Sequence, residues 1–153
     1  MRFRVIAMLL AGLIATHAAA QVRQADVTAA AILTGFVNAD VAAIQRHATT
    51  VSALRLQRIV DGEIDAATLF DPAAAQAAAQ WDGQMHPARF ERYLAVVPFA
   101  ISGPDGPVSL SAGAGELYFV LRLARDTDYS PWGYQGVGRM PRASYEARAA
   151  DPP

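Results

Sequence analysis

No cysteine occurs anywhere in the 153 residues. That excludes disulfides, thiolate metal sites, a thiol nucleophile and a covalently attached c-type haem. Lysine is missing as well: all 13 basic residues are arginine. Schiff-base chemistry and the phosphate-binding lysine of a P-loop are excluded with it. The arginines are scattered, no basic run exists and the formal net charge is −1, so no nucleic-acid partner is expected. Histidine is scarce. His47 and His86 are the only two beyond the leader, and neither belongs to an H-E-x-x-H or related pattern. Zinc would need carboxylates brought in from elsewhere. No metal and no cofactor is expected.

There is one long apolar run, and it is at the start. In MRFRVIAMLLAGLIATHAAA, Arg2 and Arg4 form a short positive segment, and Val5 to Ala15 is almost unbroken apolar sequence. Ala18-Ala19-Ala20 offers an A-x-A cleavage site, which would leave Gln21 as the mature N-terminus. This pattern is that of a secretory signal peptide. It predicts export, with a periplasmic location, and no membrane span after cleavage. The organisation expected is a leader at 1–20, a single domain over 21–143 and a flexible tail at 144–153.

After the leader, apolar residues at threes and fours predict helix. Val27, Ala31, Ile32, Phe36 and Val37 form one stripe, with Asp26 as its N-cap. Asn38 and Asp40 interrupt the pattern, and Asp40 can cap a second helix. VSALRLQRIVDGEIDAATLF (51–70) reads two ways. Asp61-Gly62 between apolar runs is a hairpin signal, pairing Val60 with Glu63, Ile59 with Ile64 and Arg58 with Asp65. A helix starting at Asp65 competes with its second strand. Asp71-Pro72 opens a further helix, as does His86-Pro87, whose PARFERYLAVV places Phe90, Tyr93, Leu94 and Val97 on one stripe with Arg89 and Arg92 outward.

Beyond Pro98 the texture changes. FAIS, PVSLS, ELYFVLRLA and GYQGVGRM are separated by GPDGP, AGAG and RDTDYSPW. Short apolar runs between turn residues predict an antiparallel meander. In ELYFVLRLA, Leu117, Phe119, Leu121 and Leu123 alternate with Glu116, Tyr118, Val120 and Arg122, one face toward a core and the other toward water. The fold class predicted is α+β, with N-terminal helices packed on a C-terminal antiparallel β-meander. The order of elements resembles NTF2-like and cystatin-like folds.

The chemistry-bearing candidates are few. Asp61 to Thr68 resembles half of an EF-hand loop, but Gln57 and Ile59 would occupy its first ligand positions and its last position is not acidic. No serine lies in a G-x-S-x-G elbow. Gly133 to Gly138, GYQGVG, reverses the spacing of a dinucleotide fingerprint. Residues 116–140 are similar in order to the C-terminal strand, acidic turn and aromatic-Gly-Arg stretch of cyclophilin-type prolyl isomerases. That family's arginine-bearing catalytic strand and Gln-Gly-Asp segment have no counterpart, so no family is assigned. What stands out is aromatic clustering. Tyr118, Tyr129, Trp132 and Tyr134, with Arg122 and Arg139, are expected at one end of the sheet, where they could hold a planar, anionic or glycan ligand or a protein partner. The function predicted is a small exported binding or interaction module without catalytic machinery. The alternative is a metal-free periplasmic hydrolase or isomerase using His47 or His86 with a carboxylate distant in sequence.

Overall fold

The computed structural model describes residues 2–69, 72–81, 88–102 and 116–149. PVSLS (107–111), the turns flanking it, His86 and residues 150–153 lie outside these. Among the described residues five α-helices, one 3-10 helix and four strands follow in order: α1 (Arg2–Val37), α2 (Val41–Gln45), α3 (Thr50–Val60), a 3-10 helix (Ala66–Leu69), α4 (Pro72–Ala79), β1 (Arg89–Phe90), β2 (Leu94–Ser102), β3 (Leu117–Ala124), β4 (Gly133–Pro141) and α5 (Arg142–Ala149). The sheet runs β1-β2-β3-β4, antiparallel throughout. The α+β class, helices first and a meander afterwards, is as the sequence predicts.

Helix ends follow side-chain chemistry. α1 stops in a Schellman turn: Ala39 takes φ 53 and donates to Phe36, and Asp40 donates its N–H to Gly35 at 2.8 Å. Asp40 then caps α2, its carboxylate accepting from the Ala43 N–H at 2.8 Å. Gly35 is required where the two helices meet, because a Cβ there would lie 2.9 Å from Ile44 Cγ1. Thr49 caps α3 by accepting from Ser52.

Four expectations are corrected. Asp26 caps nothing, since α1 is continuous through it from Arg2. It lies partly buried, and desolvation raises its carboxyl pKa. Asp61-Gly62 is a helix terminus, not a hairpin turn. Gly62 has φ +77, its N–H donates to Ile59, and Glu63 N–H donates to Arg58 at 2.9 Å. Both devices use glycine's freedom at positive φ, and the buried pair Leu56 and Ile59, three apart, selects the helix.

The segment expected to form the helix PARFERYLAVV forms β1, a turn at Arg92-Tyr93, and the start of β2. Strand β2 continues straight through Pro98, at which the register with β3 shifts. β1 pairs only with Ala95 and Val96, and the bulge accommodates a residue with no N–H. Tyr93 is consequently exposed at the turn, and the Arg89 side chain is largely buried.

The fourth correction concerns the far face of β3. Phe119, Leu121 and Leu123 are fully buried against the helices, as expected, each contributing roughly 1.5–3 kcal/mol. Tyr118 and Val120, expected to be wet, are buried too. The segment from 144 onward, expected to fray, belongs to α5, which lays Tyr145 over them. The rings of Tyr118 and Tyr145 meet edge-on at 5.3 Å. Arg142 fastens the helix start to Glu116 and Glu146, both at 2.7 Å. The sheet is therefore covered on both faces, by α1 to α4 on one and α5 on the other.

Candidate functional site

The aromatic cluster expected at the sheet end is dispersed by the register of β3 and β4. Phe119 pairs with Arg139 and Leu123 with Tyr134, which puts Tyr134 and Arg139 on the helix face. Tyr118 pairs with Met140 and Arg122 with Gly136, on the α5 face. Arg139 lies 5.7 Å from the centroid of Phe119. Arg122 lies across Gly138, its Nη2 3.3 Å from the position a Cβ would take. The two arginines thus face opposite sides of the sheet. Tyr129 stands alone at the turn, 98% exposed.

Trp132 is part of the core, 3% exposed. Its ring meets Phe90 at 5.8 Å, and Arg125 stacks on its other side at 4.9 Å. Arg125 donates twice to the Arg92 carbonyl, at 2.9 and 2.7 Å, tying the β3–β4 turn to the β1–β2 turn. The Arg92–Asp128 ion pair at 2.9 Å reinforces this and holds the Asp128 carboxyl below its ordinary pKa. The next residue explains why a Pro-Trp-Gly turn tucks inward. Gly133 lies so close to α3's N-terminal approach that a Cβ would meet Thr49 N at 2.8 Å and the Ala48 carbonyl carbon at 2.9 Å. Tyr134 N–H donates to the His47 carbonyl at 2.6 Å and Thr49 N–H to the Tyr134 carbonyl at 3.1 Å, a parallel bridge between the helices and the sheet.

Of the two histidines proposed for catalysis, His86 lies outside the described residues. His47 is exposed just after α2, and among the described residues it forms no ion pair with a carboxylate. No group of three or more His, Asp or Glu able to hold a metal occurs among the described residues, and no helix there is long and apolar enough to cross a membrane.

Among the described residues, two concavities stand out on the helix side of the sheet. The larger, about 280 Å³, is partly open and lined by Phe36, Ala39, Val41, Ile44, Ala66, Ala67 and Leu69, every one apolar. It forms where the end of α1, the short α2 and the 3-10 helix fail to close on one another. Ala39 borders it in a left-handed conformation that a Cβ disfavours by about 1–2 kcal/mol. The smaller, about 130 Å³, lies between α3 and β4 and is lined by Ser52, Arg55, Leu56, Leu69, Tyr134, Gln135, Gly136 and Val137. Leu69 borders both. Phe36 of the first and Tyr134 of the second touch edge to face at 5.7 Å. Burial pushes the Tyr134 phenol up to about 12 against the pull of the nearby Arg55 charge, so at neutral pH it is an O–H donor.

Sequence reasoning reached Tyr134 and missed Arg55, Ser52 and the whole apolar lining. The stripe Leu56–Ile59, once read as helical, places Ser52 and Arg55 on the flank of α3 toward β4. Nothing local marks Ala66, Ala67 or Val41 as lining. No family model, no curated protein and no solved structure matches this chain.

Proposed function

We propose that the chain is a small exported binding module without catalytic machinery, and that its ligand site is the apolar cavity bounded by α1, α2 and the 3-10 helix. One observation carries the reading: a partly open cavity of about 280 Å³ lined by apolar side chains, near the lower size of small-molecule pockets. The aromatic turn supports it less than the sequence suggested, because Trp132 is spent on the core and Tyr129 stands apart from the other aromatics. Periplasmic location rests on the leader alone. The mature protein recovered from an exporting host is expected to begin at Gln21, and an intact mass retaining residues 1–20 would overturn the export reading.

The cavity is tested with the neutral dye N-phenylnaphthylamine, whose emission rises on entering an apolar site. The wild type is expected to enhance it saturably. Val41→Phe, which fills the cavity from its rim, is expected to weaken binding about tenfold or more while the far-UV spectrum stays native. Absence of saturable enhancement, or equal binding by the filled variant, would overturn the site.

A further inference from the structure

We propose that the ligand is a single-chain amphiphile with a carboxylate head, the head held by Arg55 and the Tyr134 hydroxyl in the smaller cavity and the chain lying across Leu69 in the apolar one. This rests on the apolar cavity being the ligand site and adds to it the class of ligand. The first support is an unused cation. Arg55 lines the smaller cavity, and among the described residues its guanidinium forms no ion pair and no hydrogen bond. No Asp or Glu shares that lining.

The second support is independent of it. Tyr134 is 4% exposed, yet its hydroxyl, at the same cavity, makes no hydrogen bond among the described residues. The buried unpaired side-chain atoms among the described residues are those of Arg89 and Trp132, so the Tyr134 oxygen is reachable from solvent and its O–H is available to an acceptor on a ligand. Arg55 and Tyr134 are two kinds of donor on a lining without a carboxylate, which suits an oxyanion. The guanidinium fork suits the two oxygens of a carboxylate, and the phenol donates a third bond. Charge selects the carboxylate over a phosphate monoester. The site offers a single positive charge, and a dianion would leave one negative charge uncompensated in a half-enclosed space.

The chain's path follows from the shared wall. Leu69 lines both cavities, and the Phe36–Tyr134 ring contact joins a residue of one lining to a residue of the other. An alkyl chain leaving a head at Arg55 over Leu69 enters the larger cavity directly. Ser52, which donates to the Gln135 carbonyl at 3.5 Å and accepts from Thr49, keeps a lone pair but no spare proton, so it adds no charge selectivity.

The test is calorimetric titration of the protein with sodium octanoate, sodium decanoate and decanol, all below their micellar concentrations. Decanoate is expected to bind about tenfold or more tightly than decanol, the gain of a charge-assisted contact. Each methylene from octanoate to decanoate should tighten binding roughly fourfold. Arg55→Gln, at an exposed position, is expected to lower decanoate affinity about tenfold, and Tyr134→Phe several-fold. Equal binding of decanoate and decanol, or R55Q retaining full decanoate affinity, would overturn the head-group assignment and leave the apolar site standing. Failure of all three to bind would overturn both.

Discussion

Trp132→Ala is expected to lower the free energy of unfolding by about 3–5 kcal/mol, the range for truncating a fully packed indole. The expectation follows from its neighbours. The ring fills the junction between β4 and the β1–β2 turn, with Phe90 at 5.8 Å on one side and the Arg125 guanidinium at 4.9 Å on the other. Removing it leaves a cavity that Phe90 alone cannot close and deprives Arg125 of the surface that shields it. Were the residue an exposed anchor, the loss would be roughly 0.5 kcal/mol or less. A second substitution separates ring from N–H. The Trp132 Nε1 is buried without a hydrogen-bond partner. Trp132→Phe keeps most of the packing and removes that unsatisfied donor, so it should cost less than about 1.5 kcal/mol. Chemical denaturation of both variants measures the pair. A phenylalanine variant as unstable as the alanine one would mean that the N–H, not the ring, holds the site.

Phe119→Ala is expected to cost a similar about 3–5 kcal/mol. Phe119 is fully buried at the centre of the sheet, its ring 6.3 Å from Phe99 on β2 and covered by Arg139 from β4. It pairs with Ala100 on one side and Arg139 on the other. The cavity left would therefore open in the one strand that holds the meander together. A urea or guanidinium melt showing a loss below about 1 kcal/mol would mean that β3 presents its other face to the helices.

Those two residues mark what was legible in the sequence and what was not. The alternation of Leu117 to Leu123 placed Phe119 correctly because period two is a property of the strand itself. Asp40 as a cap and Pro72 as a helix start were legible for the same reason: each acts on its own backbone neighbourhood. Trp132 was not legible. A Pro-Trp-Gly stretch fixes a turn but not whether the turn tucks inward, and what tucks it is the contact of Gly133 with Ala48 and Thr49, far away in the chain. Tyr145 misled in the same way. It is a lone aromatic in an Arg-, Glu- and Ala-rich segment, and only the far face of β3 gives it something to cover. The texture of the sequence changes at Pro98, yet a bulge lets β2 carry straight through it.

The candidate site was the least legible part. Its apolar lining comes from three separated segments of ordinary alanines and branched aliphatics. A cavity is a failure of those segments to meet, which no residue type announces. Arg55 is likewise invisible in a stretch, residues 53–70, that reads as either hairpin or helix. Only as α3 does that segment bring Arg55 to the cavity that Tyr134 borders.

The central claim is that ligands enter on the helix side of the sheet and not at the aromatic turn. Amide-resolved NMR titration with N-phenylnaphthylamine tests it most directly, since the dye's ring currents shift nearby amides strongly. The largest saturable shifts are predicted at Val41, Ile44, Ala66, Ala67 and Leu69, with Asp128 and Tyr129 unmoved. Shifts centred on Asp128 to Trp132, with the cavity amides silent, would contradict the account.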